Sequence, residues 1–229
     1  MIDEFAKTSL HGRLRRDCKA LLWKLDGLSE CDAGRPLTVT GTNLLGLVKH
    51  VASVEARYVG EVFDRPSPEP LARWQDHDGS DLWTAEDEAR AQIIESCRRT
   101  WEHSDATIGE LALDVPGHVP WWPEPYANTN LFAILVHVLG ETNWHAGRAD
   151  ILREAVDGRT GMRPEHEMQI DEEARTSCCA KIEQAAGSAE SVTALFGRHD
   201  ASRAGSPRDM PRTAFARSAR FSREWHPAG

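Results

Sequence analysis

Four stretches of the chain repeat their apolar residues every three or four positions, and none alternates apolar with polar at every second position. The first runs Leu10, Leu14, Cys18, Leu21, Leu22 and Leu25, with Gly27 as its stop. The second starts near Thr42 or Asn43 and carries Leu44, Leu47, Val48, Val51, Val54, Tyr58 and Val62. Pro66, Pro68 and Pro70 then exclude helix. The third is expected to open on a capping box of Thr84 and Asp87 and to run through Ala91, Ile94, Cys97, Trp101 and Ile108. A loop with Pro116, Pro120, Trp121, Trp122, Pro123 and Pro125 precedes the fourth. That helix starts near Asn128 or Asn130, passes Leu131, Ile134, Leu135, Val138, Leu139, Ile151, Leu152 and Val156, and ends at Gly158. A weaker helical pattern covers about Asp171 to Ala186. These patterns predict an all-α four-helix bundle with an extra C-terminal helix and no sheet.

The 229 residues divide near position 187. Residues 1–187 are expected to form the bundle. Residues 188–229 carry seven arginines, no lysine and four acidic residues among Ser, Ala, Gly and Pro, with no apolar period. That composition predicts a disordered basic tail. The whole chain has a net charge of −9, which argues against nucleic acid as a partner. No apolar run is long enough for a membrane span, and the N-terminus lacks the apolar core of a secretory signal. Five cysteines, none in a Cys-x-x-Cys pair, read as reduced thiols in the cytoplasm. Cys18 and Cys97 fall on apolar faces and read as core; Cys178 and Cys179 adjoin each other on the last helix.

The chemistry concentrates on two helices. His137, Glu141 and His145 stand four residues apart, and a four-residue step of about 400° keeps them on one face. That face borders the apolar stripe of the fourth helix. His50 lies between Leu47 and Val51 beside the apolar face of the second. Two imidazoles and a carboxylate entering from facing helices suit a divalent metal with an open coordination position. The competing reading is a hydrogen-bonded core histidine and an exposed Glu–His pair. His137, two turns from His145, is expected to pack, with a fourth metal ligand or a base near the metal as its functional alternatives.

The segments TGTNLLGLVKHVASVEARYVGEVF (40–63), VPWWPEP (119–125) and LVHVLGETNWHAGRADILREAVDG (135–158) resemble the DinB-like superfamily of metal-binding helical bundles. The likeness covers about residues 5–187 and is strongest around His50 and from Glu141 to Glu154. Relatives of known chemistry include mycothiol-dependent maleylpyruvate isomerase and the mycothiol and bacillithiol S-transferases. The resemblance implies His50, Glu141 and His145 as metal ligands, with zinc first and nickel, manganese or iron as alternatives. Where close relatives read His-Ala-Gly-His, this chain has Arg148 in the last place. Arg148 is either a group that holds a carboxylate or, the favoured reading, a solvated surface residue.

By resemblance, the ion would activate a low-molecular-weight thiol such as mycothiol, which attacks a small electrophile by transfer or thiol-assisted isomerisation. Arg148 and Arg57 would supply local positive charge in an acidic protein. The alternatives are a hydrolase using a metal-activated water, with His137 as base, and a stress protein without turnover. Monomer and homodimer both remain open. No heptad seam specifies pairing.

Overall fold

The computed structural model of the protein describes residues 2–70, 79–167 and 171–200. It falls into two units, 1–167 and 168–229. In the first, the long helices are α1 (Ile2–Trp23), α3 (Leu44–Glu55), α4 (Arg90–Glu110) and α5 (Leu131–Asp157); α2 (Glu30–Gly34) is a short helix between α1 and α3. α1 packs on α5, α5 on α3, α3 on α4, and α4 back on α1. This closed ring of neighbours buries Leu14, Leu21, Leu47, Val48, Ile108, Ile134, Leu135 and Val138.

The helix ends follow local chemistry. Asn43 caps α3, its side-chain oxygen accepting from Gly46 N at 2.7 Å, and Asn130 caps α5 in the same way, accepting from Ala133 N at 3.0 Å. α5 ends at Gly158 with φ +78°, the left-handed conformation that glycine adopts without Cβ strain. α3 passes at Ala56–Gly60 into a π-helical turn and then a 3-10 turn, Glu61–Phe63. Arg153, buried on α5, donates to the carbonyls of Lys24 at 2.7 Å and Asp26 at 2.8 Å, which ties α5 to the end of α1.

Several expectations are corrected. α4 begins at Arg90, not at Thr84. The Thr84–Asp87 signal is overridden by Glu88, whose carboxylate accepts from Ala85 N at 2.8 Å and from Lys49 Nζ at 2.7 Å, holding 85–88 in a turn. Burial alone would raise the Glu88 carboxyl, but these bonds bring it below its ordinary value. A two-stranded antiparallel ladder is present where no sheet was expected: β1 (Pro116–His118) pairs with β2 (Asn128–Asn130). Three residues are too few to display alternation.

The second unit contains α6, Glu172–Asp200. It continues through 188–200, where composition predicts disorder. Helix propagation adds one hydrogen bond per residue once a nucleus exists, and no proline interrupts this segment. The described side chains of 171–188 are all exposed, and the four packed helices lie within 1–167. The rest of the proposed tail, 201–229, lies outside the described residues. Among the described residues, no helix is long and apolar enough to cross a membrane.

One close approach positions the later site. A Cβ added to Gly46 would stand 1.9 Å from the carbonyl oxygen of Leu82. The segment around Leu82 therefore lies directly on the start of α3, and Asn43 Nδ2 donates to the same carbonyl at 3.3 Å. Gly46→Ala is expected to cost about 1–3 kcal/mol, as overpacking against backbone does. The urea unfolding midpoint reads this; an unchanged midpoint would contradict the packing described.

Candidate metal centre

The structure brings His50, Glu141 and His145 together. α3 carries His50 from one side and α5 carries the other two. The His50 and His145 ring centroids lie 4.7 Å apart, with planes at 68°. His145 is buried, 4 % exposed, and its Nε2 lies 3.7 Å from Glu141 Oε2, an ion-pair contact beyond hydrogen-bond reach. The exposed Glu–His pair of the competing reading is therefore absent. Among the described residues, no group of three or more His, Cys, Asp or Glu side chains stands as a ready metal-binding cluster. The three groups converge without forming a finished coordination polyhedron.

Their environment is that of donors. Burial, helped by the nearby charges of His50 and Arg148, holds the His145 imidazole below its ordinary value against the pull of Glu141. The ring is thus neutral at pH 7, the form that binds metals. Contact with His145 keeps the Glu141 carboxyl low in spite of burial, so it is an anion. His145 Nδ1 is buried with no hydrogen-bond partner. Such a nitrogen costs about 1–3 kcal/mol, which a ligand bond would offset. Two imidazoles and one carboxylate are a donor set that zinc accepts. By donor chemistry and convergence the residues fit a divalent ion.

Asp81 was missed in the sequence. It is 3 % exposed, and its Oδ2 meets His50 Nδ1 at 2.7 Å. A carboxylate on one imidazole nitrogen fixes the tautomer and leaves the other nitrogen to act as a donor. Asp81 precedes Leu82, the residue that Gly46 and Asn43 hold against α3. No periodicity or motif marks Asp81 in a stretch between prolines and Trp83. The only available signals were the cap Asn43 and the glycine three residues after it.

His137 sits among aromatics. Its ring centroid is 4.5 Å from that of Tyr58 and 5.1 Å from that of Trp122. Burial lowers its pKa, opposed by Glu141. Trp121 and Trp122 both donate Nε1–H to the Tyr58 hydroxyl at 3.0 Å. They lie half-buried against the core, and Trp121 also carries the buried Arg57 guanidinium 4.5 Å from its ring centre. Arg57 pairs with Glu61 at 3.3 Å. Arg148 is not a solvated surface residue. It is half-buried, donates to Thr42 Oγ1 at 3.0 Å and lies 5.8 Å from the Trp144 ring centre, because Thr42 precedes the α3 cap that faces this part of α5. Trp144 in turn lies 5.5 Å from His145.

All five cysteines are free thiols. Burial pushes the Cys18 thiol well above its ordinary value and the Cys97 thiol up to about 12. Neither is a nucleophile at neutral pH.

An all-α bundle with imidazole and carboxylate groups converging from two of its helices is the framework of the DinB-like class. Within that class, residues 9–158 match the family described as Mycothiol-S-transferase, and the chain belongs to that family. The match spans the four long helices almost completely. No curated protein matches the chain.

Proposed function

We propose that this protein joins mycothiol to a small electrophile at a divalent-metal site held by His50, Glu141 and His145. The observation that carries this reading is the convergence of those side chains from α3 and α5 within a chain of the Mycothiol-S-transferase family. A bound divalent ion, zinc first, would supply the Lewis acidity that keeps a coordinated thiol deprotonated near neutral pH. The remaining work belongs to the chain. His50 and His145 donate through their imidazole nitrogens, Asp81 holds His50 in one tautomer, and Glu141 contributes negative charge. Tyr58, whose hydroxyl accepts from Trp121 and Trp122, packs on His137, one turn of α5 before Glu141. Arg148, between Thr42 and Trp144, offers positive charge to an anionic group of either substrate.

In the reaction, the thiol proton passes to solvent and the sulfur forms a carbon–sulfur bond. The carbon's bond to its leaving group breaks and that group keeps the electron pair; in an epoxide it is the ring oxygen, which stays attached and takes a proton from solvent. The nucleophile comes from the cosubstrate, so the five cysteines of the chain are spectators. A hydrolase would need a base beside an activated water; His137, its candidate, is packed between Tyr58 and Trp122 instead.

The test follows mycothiol loss, by thiol titration, with a panel of alkylating and epoxide electrophiles. Metal-loaded protein is expected to consume thiol and electrophile in equal amounts, and His145→Ala to fall to the uncatalysed rate. Equal rates with and without the protein across the panel would contradict the reading.

A further inference from the structure

The outer face of α5 is not that of a solvated helix. Between Phe132 and Ile151 the one charged side chain of α5 that is more than a third exposed is Asp150, 41 % exposed and paired with Lys24. Phe132 is 46 %, Val136 48 % and Ile151 69 % exposed. Long helices facing water normally carry charge there. Two helix-interior glycines, Gly140 and Gly147, share this face, and a Cβ on either would meet nothing within 4 Å. Among the described residues nothing in the fold of the single chain gives a reason for a residue that weakens helices at these points. The close approach of another backbone gives one.

The spacing says what approaches. Phe132, Val136, Gly140, Asn143, Gly147 and Ile151 follow one another at steps of 4, 4, 3, 4 and 4. At about 100° per residue they span a stripe roughly 100° wide. The sequence of steps reads the same in both directions. An antiparallel copy of the same helix therefore presents each position with a fixed partner: 132 with 151, 136 with 147, 140 with 143. Large residues lie opposite large at the two ends, and Val136 lies opposite glycine. No like charges are opposed. This reciprocity, in which one residue meets a second and the second meets the first, is the requirement of a twofold interface.

We propose that α5 packs antiparallel against α5 of a second copy, about a twofold axis level with the Glu141–Thr142 peptide. The seam extends over about 28 Å at 1.5 Å per residue. Glu141 and His145 turn the other way, into the bundle, so the seam and the metal centre occupy different faces of one helix. The proposal stands whether or not the site holds metal.

Sedimentation equilibrium on the full chain tests it. The wild type is expected to be a dimer at micromolar concentrations. Phe132→Glu and Ile151→Lys should each weaken association by about 100-fold, as charge inserted into an apolar seam does. The double substitution places glutamate opposite the partner's lysine twice and should recover at least about tenfold of that loss. Both side chains are exposed, so circular dichroism should not change, nor should the thermal midpoint at dilutions where the wild type is itself monomeric. A wild-type monomer would overturn the proposal. So would a dimer indifferent to Phe132→Glu, or a double variant no tighter than the singles. A monomer in which Phe132→Glu lowers the thermal midpoint would mean that the face is covered from within the chain, and would overturn it as well.

Discussion

Arg15→Ala will cost the bundle about 3–5 kcal/mol, the range for stranding one member of a buried ion pair. At about 2–4 °C per kcal/mol for a chain of this size, the thermal midpoint should fall by about 10 °C. The physical reason is Glu55. Its carboxylate is fully buried at the end of α3 and is gripped by the Arg15 guanidinium from α1, one contact being 3.1 Å. Cys18 Sγ adds a weak contact at 3.6 Å. Arg15 also reaches Asp105 on α4, which His11 contacts in turn, so one guanidinium joins three helices. Asp105 is 40 % exposed at its side chain and can be hydrated when Arg15 is lost; Glu55 cannot. The cost therefore falls on a single unpaired charge. Arg15→Met combined with Glu55→Leu should recover most of the lost stability, because an apolar pair needs no desolvation compensation. A single variant as stable as the wild type, or a double variant worse than the single, would contradict this account.

His145→Ala should abolish metal binding, and Asp81→Asn should weaken it by about 10–100-fold, the usual effect of losing an orienting carboxylate. The two variants differ in what they remove. The first deletes a donor. The second leaves His50 in place but frees its ring to choose the wrong tautomer. Competition with a chromophoric chelator separates these cases, and proton release on binding gives an independent check. Affinity should fall as pH drops, because the imidazoles must be neutral to bind. Burial keeps His145 neutral to lower pH than an exposed histidine. If Asp81→Asn matched the wild type in affinity, the hydrogen bond to His50 would have no part in the site.

The main helices were legible because their signals are local. Asn43, Asn130 and Gly158 are caps whose chemistry is complete within four residues, and the periodic runs after them leave little choice of face. The same holds for Glu141 and His145, whose shared face is a consequence of spacing alone. What resisted reading depends on contacts distant in sequence. Asp81 reaches His50 because a missing Cβ at Gly46 admits the Leu82 carbonyl. Thr84 and Asp87 lose to Glu88 because Lys49, from another helix, holds that carboxylate. Arg148 is drawn from solvent by Thr42, 106 positions away in the chain. The ladder at Pro116–His118 is too short to carry a period, and α2, at five residues, too short to carry a stripe.

X-ray absorption at the metal edge of the zinc-loaded full chain tests the central claim most directly. One ion per chain is expected, with two imidazole nitrogens and a carboxylate oxygen at about 2.0–2.2 Å. The imidazole scattering should be lost in His145→Ala. Sulfur neighbours at about 2.3 Å, a hydrated ion without imidazole scattering, or an unchanged spectrum in His145→Ala would contradict it.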